Sequence, residues 1–390
     1  MSIQSILEAA PALAREFASE RQERQSRREA RKEDFDRLLE LGVHLMSVPA
    51  ELGGTWESLA QSARPICTSL RVLAHGDPSV SLVSAMHPGV LASWRVPQVP
   101  DPYLEEWTRQ RREVFDTVLD GAWWGTIVSE PGSGGDVART RSAVRPTGEP
   151  HKYRLSGRKH FGSGSGITSF MTTRALAEGD TLADLFYMDV RNTPWDGSTG
   201  MKLTEPWAGR GMMSTNSHAF EFTDFPVVRS AWPGHAMELQ QAAGPLGQMM
   251  FTSVVVGVVD TAMEFARERL AREMARGAAL RAYQRVEWSH AEQEAWLVDK
   301  AFDAALTEFD NGTQTLYNTL LAKESIATLS ESVLTRLCKL SGGSSYTWYS
   351  PLSTWFEDVR ALGYLRPPWA LAFDQLFELS WPSADDPVVI

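Results

Sequence analysis

The chain has 390 residues, 43% of them hydrophobic, with 49 acidic against 38 basic side chains and a formal net charge of −11. That apolar content suits a large core divided into two or three domains and excludes a disordered chain. The acidic balance argues against a nucleic-acid partner, which calls for clustered Lys and Arg.

The two cysteines, Cys67 and Cys338, are far apart and lack metal or redox spacing, so reduced thiols in a cytoplasmic protein are expected. The first helix carries Glu8, Arg15 and Glu16 where a signal core would be apolar. No later run of apolar residues reads as a membrane span of ~20 residues, so a soluble, unprocessed chain without a membrane partner is expected.

Residues 2–42 alternate apolar and charged positions at helical spacing, and the densely charged middle, ERQERQSRREARKED, reads as solvated helix faces. Helices follow over Ser58–Ala74, Ser79–Ser93 and Pro102–Leu119. His87, inside an apolar helix, reads as a satisfied core group. From Gly121 to Trp232 the pattern changes to short alternating segments with turns, which predicts an antiparallel β-domain.

The most informative stretch is Trp123–Ser165. A β-branched run to Val128 enters Ser129-Glu130-Pro131 and the glycines Gly132, Gly134 and Gly135, where backbone N–H groups are open to a flat polar ligand or a phosphate. YRLSGRKHF, Tyr153–Phe161, reads as two short strands turning at Ser156-Gly157 and leads into a second small-residue loop, Gly162–Gly166. Beyond Pro233 helical periodicity returns over Pro245–Gly277, Ala282–Phe309, Thr313–Leu340 and Pro351–Leu362, an up-and-down bundle of about four helices.

The order strand, SEPGSGGD, LSGRKHF and small-residue loop resembles the middle β-domain of the acyl-CoA dehydrogenase superfamily, and WAGRGMMSTNSHAFEFTDFPV resembles its closing hairpin. Lys323 followed by LSGGSSYTWYSPLSTWFED is similar to that family's C-terminal half, with Glu357 where its basic residue stands. The resemblance implies an α+β fold: an N-terminal helical domain (1–120), a middle antiparallel β-domain (121–232) and a C-terminal four-helix bundle domain (233–390). It also implies FAD, a homo-oligomer (dimer or tetramer), and a small-molecule substrate such as a CoA or carrier-protein thioester.

Carried over by motif, Val128 and Ser129 would contact the flavin edge, and Gly134 and Gly135 would lie near the pyrophosphate. Phe161 would lie beside the ring, and the Ser163 hydroxyl would meet its central nitrogen. Lys339, Gly342 and Gly343 would approach the nucleotide. A partner subunit's pyrophosphate arginine falls at Glu273, with Arg272, Arg276 and Arg281 nearby. The family's α-proton base falls at Arg366, which cannot serve as one, and the alternative base position corresponds to Gly247 and Gln248.

Arg366 and Gln248 are therefore substrate-side candidates, the catalytic base is unassigned, and Glu287 is a replacement candidate. Three readings stay open. The loop motifs favour a dehydrogenase of an activated acyl substrate. The absent glutamates favour a monooxygenase of the same superfamily, in which reduced flavin activates oxygen without an α-proton base. A binding protein without turnover is the third.

Overall fold

A computed structural model describes residues 2–96, 98–277 and 279–381. The N-terminal helices are α1 (Ile3–Ser19), α2 (Arg21–Ser26), α3 (Lys32–Leu41), α4 (Leu59–Gly76), α5 (Pro78–Leu91) and α6 (Asp101–Leu119). Side chains of Ser2, Ser58 and Asp77 accept the first free amides of α1, α4 and α5.

The charged middle of this region is not merely solvated. Arg24 is buried, with its guanidinium 2.8 Å from Asp34 and 3.1 Å from Asp77, and Arg27 reaches Asp34 at 2.9 Å. Asp77 lies 53 positions beyond Arg24, so local periodicity carries no sign of the pairing that makes this burial tolerable.

The β-domain contains β1 (Trp124–Thr126), β2 (Ala143–Pro146), β3 (Lys152–Gly162), β4 (Phe170–Ala177), β5 (Asp184–Asp189), β6 (Met201–Glu205) and β7 (His218–Arg229). The order is β1-β4-β2-β3-β7-β5, and β5 pairs back onto β4, so five strands close on themselves. Most pairs are antiparallel, but β1 and β2 run parallel to β4.

The expected turn at Ser156-Gly157 is a bulge within the single long strand β3, where the register against β7 shifts between Leu155 and Gly157. A Cβ on Gly157 would lie 2.1 Å from the Ser142 hydroxyl. Close approach of β2, not chain reversal, is why glycine stands there.

The C-terminal helices are α7 (Ala236–Ala275), α8 (Ala282–Asn311), α9 (Leu316–Ser341) and α10 (Pro351–Arg360), packed as a bundle, followed by α11 (Trp369–Ser380). Helix α7 starts at Ala236, with Pro245 inside it, and is long and apolar enough by composition to cross a membrane, contrary to the sequence reading. Its apolar window is 72% buried against α4, α5, α8 and α9, which accounts for an apolar surface on all sides. Met249, Met250 and Val254–Val256 thereby join the N-terminal helices and the bundle in one core.

Candidate active site

Past β1, Ile127 still bonds Thr172 before the chain opens into the first glycine loop. Gly132, Gly134 and Gly135 have φ of 80°, 64° and 85°, a region in which a Cβ is disfavoured. The Ser133 hydroxyl donates to the Glu130 carbonyl and accepts from the Gly135 amide, fixing the turn. Among the described residues, the amides of Val128, Ser129, Gly132 and Gly134 have no protein acceptor.

Beneath this loop Glu130 is buried and fully engaged. Its carboxylate accepts from Lys159 Nζ at 2.5 Å and from the amides of Arg141 (2.7 Å) and Ser142 (3.1 Å). Burial alone would raise its pKa, but these donors outweigh that and hold it below the ordinary glutamate value. A carboxylate held in this way is an anchor, not a proton acceptor.

The C-terminal segment closes over the loop. Arg366 Nη2 donates to Ser129 Oγ at 2.8 Å, and a Cβ on Gly135 would lie 2.9 Å from Pro368. Lys323, buried on α9, holds the segment by donating to the Pro367 carbonyl at 2.9 Å. Burial lowers the Arg366 pKa to about 10, and the Arg174 charge adds to the effect, so Arg366 remains a cation at neutral pH. No carboxylate lies within ion-pair distance of it among the described residues.

The second loop follows β3. The His160 amide donates to the Ser129 carbonyl at 2.9 Å, tying the two loops together. Phe161, at φ 58° and 53% exposed, lies 4.2 Å from the His160 ring and edge-on to Trp207 at 6.1 Å. Ser163 is buried, its hydroxyl 2.8 Å from that of Ser217, which is in turn 2.7 Å from Thr215 Oγ1. Burial lowers the His160 pKa, leaving the imidazole neutral at pH 7.

Val128, Ser129, Gly134, Gly135, Phe161, Ser163 and Arg366 thus fall on two coupled loops and the segment that covers them. Lys339, Gly342 and Gly343 lie elsewhere, at the exposed end of α9, and no hydrogen bond among the described residues links them to either loop. Gln248 is buried within α7, its Oε1 without a donor. Glu273 pairs with Arg269 at 3.2 Å.

Glu287 is held by Arg336 at 2.8 Å, which lowers its pKa, so it is an ion-pair partner rather than a poised base. His87 accepts from the Trp124 amide through Nδ1 at 2.9 Å and therefore presents Nε2–H to the His44 carbonyl at 3.3 Å. Burial lowers its pKa to about 3, so it is the neutral core group expected. Sequence reasoning missed the Lys159–Glu130 anchor and the Ser217–Thr215 pair. No local pattern marks the first, since Glu130 lies in the loop past β1 and Lys159 stands inside β3 between Arg158 and His160.

These residues fit a flavin. Four open amides and the Ser129 hydroxyl suit the polar edge of an isoalloxazine, Phe161 offers an exposed π-face, and Ser163 a hydroxyl between them. No family model matches the sequence. Amino sugar nitrososynthase DnmZ from Streptomyces peucetius is 28% identical over 85% of this chain and 82% of its own length. KijD3, solved with FMN and dTDP-3-amino-2,3,6-trideoxy-4-keto-3-methyl-D-glucose, superposes over 98% of this chain and 95% of its own, with TM-score 0.80 and 20% identity. Butyryl-CoA dehydrogenase from Megasphaera elsdenii superposes over 97% of both chains, with TM-score 0.82 and 16% identity.

The chain has the fold of the acyl-CoA dehydrogenase superfamily and is similar in sequence to amino sugar nitrososynthases. Its curated relatives include amino sugar nitrososynthases and dibenzothiophene monooxygenases, so more than one reaction is represented among them. The helical and mixed-sheet architecture matches the expected fold class, and flavin, without distinction between FMN and FAD, is the cofactor of the neighbours.

Proposed function

We propose that the protein is a flavin-dependent monooxygenase that oxygenates the amine of a small, sugar-like substrate. One observation carries this reading: an arginine bonded to the first flavin loop stands where the superfamily's dehydrogenases need a carboxylate base. The buried carboxylate of the first loop, Glu130, is clamped by three donors. Removal of a weakly acidic C–H proton would lack the carboxylate that the superfamily's dehydrogenases use, whereas oxygenation of an amine needs none, because its lone pair is already nucleophilic.

Reduced flavin, when bound, supplies the two electrons with which one atom of O₂ enters the substrate and the other leaves as water. The chain's contribution is orientation and exclusion. With flavin bound, the two loops would grip the ring edge and Phe161 and Trp207 would bound its face, while Pro368 seals the glycine turn. Arg366 places a cation at the substrate end, suited to an anionic substrate group. The nitrososynthase resemblance supports an amine, and forming a nitroso group from an amine is itself an oxygenation.

FMN is the better candidate than FAD. Glu273 stands where the superfamily's pyrophosphate arginine would come from a partner, and a carboxylate repels phosphate. A homo-oligomer is supported by Tyr346, Trp348 and Tyr349, 93%, 86% and 84% exposed beside Gly342 and Gly343, since three adjacent bare aromatics are costly in water. The test is a paired assay. Acyl-CoA thioesters added without oxygen should leave bound oxidised flavin unbleached, while reduced FMN, oxygen and a dTDP-amino sugar should give a product heavier by one oxygen atom. Bleaching by the thioester would overturn the reading.

A further inference from the structure

The hydroxyls of Ser163, Ser217 and Thr215 form a chain whose polarity follows from counting protons. Thr215 Oγ1 bonds the Met212 carbonyl at 2.9 Å, Ser217 lies 2.7 Å from Thr215, and Ser163 lies 2.8 Å from Ser217. Each hydroxyl has one proton. If Thr215 donates to Met212, Ser217 must donate to Thr215 and Ser163 to Ser217, which makes three bonds. Ser163 then faces its ligand with lone pairs only.

The reverse direction frees the Ser163 proton but gives up the bond from Thr215 to Met212, leaving one bond fewer. The Met212 carbonyl would still accept from Trp207 Nε1 at 2.9 Å, so reversal costs one bond rather than an orphaned buried carbonyl. Burial of all three side chains keeps bulk water from repairing the chain.

We infer that this directed chain makes Ser163 an acceptor, so that the site selects reduced over oxidised flavin. The inference rests on the reading above that Ser163 faces the central ring nitrogen. In oxidised flavin that nitrogen accepts a hydrogen bond. Adding two electrons and a proton to it turns it into an N–H donor, which matches an acceptor-only Ser163. Ser217 and Thr215 are positioning residues, acting through Ser163 without touching the ring.

The experiment titrates the flavin-free full chain, without oxygen or amine substrate, with oxidised FMN and with dithionite-reduced FMN. The parent should bind the reduced form about tenfold more tightly, as one hydrogen bond implies. Ser217→Ala frees the Ser163 proton to point either way, so the preference should fall about tenfold. For a two-electron couple that lowers the bound-flavin potential by ~30 mV.

Thr215→Val, which removes the terminal donor with little change of shape, should do the same and serves if Ser217→Ala does not fold. Ser217→Thr, which restores a hydroxyl, should keep the parent's preference. Equal affinity of the parent for both redox forms would overturn the inference, as would an unchanged ratio in both Ser217→Ala and Thr215→Val. Because neither oxygen nor amine is present, this ratio fails or holds independently of the oxygenase reading. Failure to bind either form would instead remove the flavin site itself.

Discussion

The two sides of the proposed flavin site differ in what they present. On the β-domain side, binding is done by backbone: open amides at Val128, Ser129, Gly132 and Gly134, with glycines in a left-handed conformation. On the C-terminal side, the proposed chemistry rests on one side chain, Arg366, presented by a segment that Lys323 and Pro368 fix in place. Backbone recognition leaves a durable mark in sequence because only small residues permit it. A reacting side chain can be exchanged while the surrounding fold stays the same.

The largest effect should come from removing what holds the cradle up. Lys159→Met strands the buried Glu130 carboxylate and should cost roughly 3–5 kcal/mol of stability, read as a lower thermal midpoint and loss of flavin binding. Lys159→Met combined with Glu130→Gln should recover part of that loss. If the single variant were as stable as the parent, Glu130 would not be the anchor of the loop.

Next in size is the seam between the two sides. Gly135→Val puts a branched side chain at φ 85° and against Pro368, roughly 2–3 kcal/mol by backbone and packing together. Flavin affinity should fall about a hundredfold, measured by fluorescence quenching, with the helical signal retained. Gly134→Ala, where a Cβ meets nothing within 4 Å, should lose less. Equal losses would separate Pro368 from the seam.

A pH effect of intermediate size comes from α10. Asp358 is buried, accepts from the Met212 amide at 2.6 Å, and is pushed up to about 7 by burial, with the charges of Asp77 and Glu357 adding to it. A carboxyl raised in the folded state binds more protons folded than unfolded between about pH 4 and 7. Its contribution therefore falls as pH rises through that window. Asp358→Asn should make the protein more stable at pH 8, by on the order of 1–2 kcal/mol, with little change at pH 4. A thermal midpoint at pH 8 that does not rise would contradict this.

These cases also separate what the sequence made legible. Helix positions were readable because caps such as Ser58 and Asp77 and the bundle's 3.6-residue period are local signals. Both glycine loops were readable because positive φ restricts residue choice locally. The Arg24–Asp34–Asp77 cluster was read as solvent-facing because its second carboxylate is brought in by a different helix. The Ser156-Gly157 bulge was read as a turn because the reason for the glycine, Ser142, lies just before a different strand, β2. The Ser217 and Thr215 hydroxyls, in a polar turn before β7, carried no pattern at all. Chemistry assembled across elements was the illegible part.

The smallest expected effects test the two sides' ligand contacts. Arg366→Gln should weaken an anionic substrate about tenfold while leaving oxidised flavin bound, and Arg366→Glu should gain bleaching by acyl-CoA thioesters if the position faces the substrate. Ser163→Val should cost about 1 kcal/mol in affinity for reduced flavin and less for oxidised flavin, with little change in stability. An affinity for reduced flavin equal to the parent's would remove Ser163 from the ring.

The central claim, that an arginine in the base's place makes this an oxygenase, is tested most directly by isotope. A single turnover with reduced FMN and a dTDP-amino sugar under ¹⁸O₂ should place label in the product nitrogen group and in water, with no label entering the product from H₂¹⁸O. An unlabelled product carrying a new double bond, formed with reduction of oxidised flavin and no consumption of oxygen, would contradict it.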